Sequence, residues 1–339
     1  MVHTPESIAT RQIGQLFMVG LPGTALDNST RLLIEKFGIN NFIYFKRNVD
    51  SPEQLRQLSA DLRMACKAQK LAPPLIAIDQ EGGTVTRLPP PFTQFPDARI
   101  LADSENPEKA LADYAMACSR ELSDIGVNMN LAPVLDVCET GRGLFMESRA
   151  LGGIPAKVGM LGSIIIKKMQ DNGVAACGKH FPGLGAATVD PHLKLPQVTR
   201  TRDELLGIDI RPFREAIASG VAAIMTSHTI YQGLDTANPA TLSALILTGI
   251  LRIDMGYNGV IITDDLEMGA IENEATIDRA ALQAFAAGAD LLLVCHSHDK
   301  AIAAYRNIAK AALREPALQE RIKRSHKRLS LVRQQFAKV

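Results

Sequence analysis

GVIITDDLEM, residues 259–268, sets an unbroken apolar run (VII, 260–262) against a polar end of Thr263, Asp264 and Asp265. Continuous rather than alternating apolar residues are what a strand covered on both faces requires. An acid at the far end of such a strand is out of place in a packed interior, but it belongs where βα loops gather around a site. Outward from this stretch the same pattern recurs: LFMVG (16–20), NFIYF (41–45), LIAID (75–79), NMNLAPVLDV (128–137), VAACGKH (174–180), AAIMTS (222–227) and DLLLVC (290–295). Amphipathic stretches separate them, near 52–69, 107–124, 156–172, 202–218, 242–254, 275–287 and 299–313. Ser51-Pro52-Glu53 and the capping-box pattern Thr201-Arg202-Asp203-Glu204 mark two of their starts. Eight strands alternating with about eight helices predict an α/β fold, a (β/α)8 TIM barrel, with a further basic helix appended at about 316–335. A doubly wound sheet is disfavoured, since GLPG at 20–23 does not match the GxGxxG turn. No linker or repeat interrupts the pattern, so residues 1–339 are expected to form one domain.

Composition narrows the function. Lys+Arg number 37 and Asp+Glu 36, giving a net charge of +1, and there is no Trp among few aromatics. Neither nucleic acid nor a membrane surface is an expected partner. No window is apolar enough to span a bilayer, and MVHTPESIATRQIG lacks the regions of a signal peptide. A cytoplasmic monomer is expected. The five cysteines (Cys66, Cys118, Cys138, Cys177, Cys295) are scattered without metal spacing, and read as reduced packing residues.

Charged groups crowd the predicted strand ends. Asp79 is followed by QEGG and Arg87; Asp136 ends the fourth run, with Arg149 on its loop; Lys179 and His180 end the fifth, whose loop carries Asp190 and His192. Ser227-His228, Asp264-Asp265 and His296-Ser297-His298 end the last three. Bland readings stand beside the functional ones. Asp79 and Asp136 are also placed to cap a following helix, and Asp265 to cap one beginning LEMGA, which leaves Asp264 to face the barrel mouth. His228, His296 and His298 read as loop or supporting residues; HSH alone lacks further ligands at metal spacing.

At GKHFPGLGAATVDPHLKLP (178–196) the sequence resembles the NagZ type of family 3 glycoside hydrolases, the β-N-acetylglucosaminidases. Four more motifs follow the family's order: FKRNVDSPEQLRQL (45–58), IDQEGGTVTRL (78–88), ESRALG (147–152) and GVIITDDLEM (259–268). Leu184, where the family has His, and Pro191, inside the D-x-H, depart from its pattern. The resemblance implies Asp264 as nucleophile, His192 as general acid/base and Asp190 as the partner of His192. It implies Asp79, Arg87, Arg149, Lys179 and His180 as the groups that hold a terminal sugar. The implied substrate is a small carbohydrate, a muropeptide fragment of peptidoglycan recycling that ends in β-linked N-acetylglucosamine, and neither metal nor organic cofactor is implied.

These residue types suit retaining hydrolysis. A strand-end carboxylate can capture the anomeric carbon, and a His held by an acid can donate and then accept a proton near neutrality. Rival expectations are a β-glucosidase of the same family, phosphorolysis, a metal-dependent barrel hydrolase using His180, His192, His228 and Asp264, and a sugar-binding barrel without catalysis.

Overall fold

The computed structural model describes residues 11–141, 143–191 and 193–337. Eight parallel strands close into a barrel in chain order: β1 Phe17–Gly20, β2 Asn41–Tyr44, β3 Leu75–Ile78, β4 Met129–Asn130, β5 Ala175–Phe181, β6 Ala223–Thr226, β7 Val260–Asp265 and β8 Leu291–Val294. β8 returns to β1, with Phe17 opposite Leu292, so the sheet keeps no open edge. Each of the eight apolar runs overlaps one of these strands, the fifth ending one residue beyond its run at Phe181, and the expected (β/α)8 barrel is what the chain builds. Phe17, Phe42, Ile76, Ile261 and Leu292 are fully buried, each contributing about 1.5–3 kcal/mol of burial. All five cysteines are buried with them.

The helices start where the sequence signals them. Pro52–Ala68 opens under Ser51, whose Oγ accepts the Gln54 N–H (3.1 Å), and Pro107–Asp124 and Pro155–Asp171 likewise begin on proline. Ile277–Ala287 and His298–Ala312 complete the later crossovers. No helix among the described residues is long and apolar enough to cross a membrane.

Two elements differ from expectation. The fourth strand, expected over 128–137, is regular only at Met129–Asn130, because Pro133 has no N–H to give its neighbour. The chain still tracks β5: Ala132 and Pro133 carbonyls accept Cys177 and Lys179 N–H, and Leu135 N–H reaches the Lys179 carbonyl at 2.7 Å. The helix expected over 202–218 is broken into Arg202–Glu204, a wide turn Leu205–Asp209 and Arg211–Ala218, with Pro212 at the restart. The Thr201 capping box is present: Thr201 N–H donates to the Glu204 carboxylate (2.8 Å) and Glu204 N–H to Thr201 Oγ1 (3.4 Å).

The last helix, Pro316–Phe336, forms a floor under the barrel. Arg333 donates to the Pro73 carbonyl (3.1 Å) and to Asn40 and Asn41 Oδ1 (3.1 and 2.8 Å), at the starts of β2 and β3. Ser325 and Arg328 reach Asp290, at the start of β8 (2.7 and 3.1 Å). The opposite end, where strands stop and loops begin, is left open.

Candidate active site

At that open end the charged strand ends converge. Lys179, on β5, places Nζ 2.7 Å from Asp79 Oδ1 and 2.6 Å from Glu81 Oε1. Arg87 reaches the other oxygen of Asp79 at 3.2 Å. Arg149 grips Glu81 with two parallel bonds of 2.9 and 2.8 Å. The result is a continuous chain, Arg87–Asp79–Lys179–Glu81–Arg149, built from two loops and one strand. Burial alone would push both carboxyls up, but Lys179 and Arg87 hold Asp79 below its usual range, and Lys179 and Arg149 hold Glu81 well below it. The same carboxylates outweigh burial on the cations, so Lys179 and Arg149 stay charged.

Neither Asp79 nor Asp136 caps a helix. Asp136, fully buried, accepts the His180 Nδ1–H at 2.7 Å, the His180 backbone N–H at 3.1 Å and the Leu184 N–H at 2.6 Å. The Lys179–His180 peptide is cis, as are Ala132–Pro133 and Phe181–Pro182 beside it.

Asp264 lines a cavity of about 210 Å³ together with Asp79, Arg87, Phe45, Met225 and His296. Its Oδ1 accepts the Asp265 N–H at 2.8 Å. Asp265 turns its carboxylate to the backbone instead, Oδ1 accepting from Glu267 N (3.1 Å) and Cys295 N (3.2 Å); it holds the turn after β7 and does not cap a helix, since the next one begins at Gly269 with Met268 at its N-cap. Burial, with the charges of Glu267 and Asp264 added, pushes Asp265 up to about 7. Arg87 also presents a buried Nε that has no hydrogen-bond partner among the described residues.

The β5 loop begins at Gly183 (φ 134°), where a Cβ would come within 2.7 Å of the Asp209 side chain. Tyr231 OH donates to the Gly183 carbonyl (2.9 Å), and Arg200 closes the far end on buried Asp209 with two 2.7 Å bonds. Between these anchors, the Pro191 carbonyl accepts the Ala270 N–H at 3.1 Å, so the loop rests on the short helix Gly269–Glu272 that follows β7. Asp190 lies on this loop, its carbonyl accepting the Leu193 and Lys194 N–H groups. His192 lies outside the described residues.

The structure thus brings Asp79, Arg87, Arg149 and Lys179 into one network, sets His180 beside it, and places Asp264 on the cavity that Asp79 and Arg87 share. The supporting histidines diverge. His228, buried, contacts Thr241 Oγ1 (2.7 Å) and the Asp265 carbonyl (2.9 Å). His298 contacts Ser29 Oγ and the Gly20 carbonyl, both at 3.0 Å, while His296 sits at the cavity rim, 3.5 Å from Asp265. No group of three potential metal ligands forms among the described residues. Sequence reasoning missed Glu81, Phe45 and Glu267, and left Asp136 undecided. The signal for Glu81 was charge balance: three cations and one acid in a buried site demand a second anion.

Residues 9–331 match the glycosyl hydrolase family 3 N-terminal domain. The chain is 37% identical over 318 residues to the beta-hexosaminidase of Alkalilimnicola ehrlichii, covering 92% of itself and 88% of that protein. It is 33% identical over 307 residues to the beta-hexosaminidase of Pseudomonas aeruginosa, covering 90% of each. Among solved structures it is similar to a family 3 beta-N-acetylglucosaminidase from Paenibacillus sp. (TM-score 0.91, 38% identity), covering 97% of this chain but only 62% of that one. It is also similar to NagZ from Neisseria gonorrhoeae (TM-score 0.75, 29% identity; 91% and 96% covered). The barrel is therefore that of a glycosidase, and the chain belongs to glycosyl hydrolase family 3.

Proposed function

We propose that this glycosidase is a β-N-acetylhexosaminidase, a retaining exo-enzyme that removes non-reducing terminal β-linked N-acetylglucosamine from muropeptide fragments of peptidoglycan. The observation that carries the reading is the placing of Asp264 on the cavity that Asp79 and Arg87 also line. Asp79 and Arg87, with Lys179 and Arg149 behind them, form a preorganised polar wall for sugar hydroxyls, and the unpartnered Nε of Arg87 suits an incoming oxygen. The beta-hexosaminidase relatives support the sugar, and the muropeptide aglycone rests on the motif resemblance.

In the proposed reaction the Asp264 carboxylate bonds to C1 as the C1–O bond to the aglycone breaks. His192 gives its proton to the departing oxygen, and Asp190 stabilises the imidazolium. Water then attacks C1 of the glycosyl ester, His192 takes its proton, and Asp264 leaves as carboxylate. One catalytic domain working as a cytoplasmic monomer completes the reading. The test is release of nitrophenol from its N-acetylglucosaminide by wild type, Asp264→Asn and His192→Ala. Both variants should lose roughly a thousandfold or more in kcat. Equal activity in all three overturns the mechanism, and faster release from the glucoside overturns the substrate.

A further inference from the structure

Asp136 is a fully buried carboxylate that the proposed reaction does not use, and among the described residues no Lys or Arg is bonded to it. Its two oxygens do separate jobs. Oδ1 accepts two backbone N–H groups, His180 N (3.1 Å) and Leu184 N (2.6 Å). Oδ2 faces His180 Nδ1 at 2.7 Å. A carboxylate only accepts, so Nδ1 must carry a hydrogen, and Nε2 is left as the ring atom available to a ligand. His180 is itself 5% exposed and follows Lys179, the centre of the ionic chain, so its ring has little freedom beyond this bond.

Leu184 sharpens the point. It opens the loop that carries Asp190, and it meets Asp136 through its backbone N–H while its side chain is buried. The contact therefore does not depend on which side chain stands at 184. One carboxylate thus fixes both the sugar-side histidine and the first turn of the loop.

We propose that Asp136 is a positioning residue for the glycosidase reaction, acting through His180 by fixing its ring with Nδ1 protonated and Nε2 turned to the substrate. The proposal rests on the reading of His180 as a sugar contact.

Asp136→Asn tests it cleanly. The two backbone N–H groups hold the amide oxygen at the Oδ1 position, so the NH2 must face His180 Nδ1. A donor there makes Nδ1 an acceptor and moves the ring proton to Nε2. The expected result by 15N NMR of the free enzyme is a switch of His180 from Nδ1–H to Nε2–H. kcat/KM on the nitrophenyl N-acetylglucosaminide should fall about tenfold to a hundredfold, the range of one misdirected buried hydrogen bond. In a His180→Ala background the same substitution should cost less than twofold. An unchanged His180 tautomer overturns the proposal. So does an equal cost of Asp136→Asn with and without His180, since that would mark Asp136 as a brace for the loop alone. Should His180→Ala by itself leave kcat/KM at the wild-type value, the sugar-contact reading fails, and the tautomer measurement still decides the positioning claim.

Discussion

The two ends of this barrel each bury a cluster of ions, and they are finished differently. At the floor, fully buried Asp290 accepts from Arg252, Arg328 (3.1 Å), Ser325 (2.7 Å) and the Ile261 N–H (3.0 Å). The surplus arginine donors are spent on carbonyls: Arg252 on Tyr257 and Gly259, Arg321 on Phe285 and Ala289. Burial depresses both arginines, Arg321 to about 10, since one carboxylate serves several cations. At the mouth the carboxylates stay closer in number to the cations and hold Lys179 and Arg149 above their ordinary values, yet Arg87 Nε has no partner among the described residues and Asp265 is pushed up to about 7. A saturated cluster stabilises; a cluster with loose ends is ready to bind. The difference follows from barrel geometry, in which catalytic groups collect where strands end.

The sharpest way to break this contrast is Asp290→Ala. It strands Arg252 and Arg328 in the interior and should cost about 3–5 kcal/mol, seen as a fall of roughly 4–7 °C in melting temperature. kcat/KM measured well below the melt should stay within about twofold of wild type. Lost activity with an unchanged melt would reverse the roles of the two ends. Glu81→Gln comes next. It keeps the side chain's size but removes one anion from the mouth, so Lys179 and Arg149 lose their shared anchor. A drop of about tenfold to a hundredfold in kcat/KM is expected, with a smaller fall in melting temperature than Asp290→Ala gives. Activity equal to wild type would show that Glu81 is mere filler.

The smallest effect is one of pH. Asp265 has its folded value raised from the ordinary 3.8 to about 7, so its contribution to stability is full below about pH 4 and is lost as pH rises toward 7. Glu81, depressed, behaves oppositely, and its contribution is lost as pH falls below its ordinary value. Asp265→Asn removes the first dependence. Unfolding at pH 5 and pH 8 should then differ by roughly 1–3 kcal/mol less favour for the acid side than in wild type. An unaltered pH 5 to pH 8 difference would mean Asp265 is not strained in the fold.

The barrel was largely legible in the sequence because strands covered on both faces read as bare apolar runs. Where a run held a proline, as at Pro133, the strand shortened, since a missing N–H is a local defect that hydrophobicity does not register. The same holds for Pro212 in the broken helix. At the site, charge at strand ends was visible, but pairing was not. Glu81 meets Arg149 at a separation of 68 residues and Asp136 meets His180 at 44, distances that pairing of successive parallel strands bridges and local sequence does not reveal. An acid just past a strand looks alike whether it caps a helix, binds a sugar or holds a histidine. Asp265 was expected to cap a helix and instead holds the turn that comes before one.

The floor has a consequence for how the protein is made. β1 finds its second neighbour only in β8, and Arg333 ties down the starts of β2 and β3 from more than 250 residues downstream. During synthesis, which proceeds at about 5–20 residues per second, the early strands wait many seconds with one flank bare. The nascent chain is therefore an unsealed sheet for most of its time on the ribosome. Its exposure to aggregation is set by the arrival of residues 290–333, which supply both the strand that closes the sheet and the helix that covers its floor.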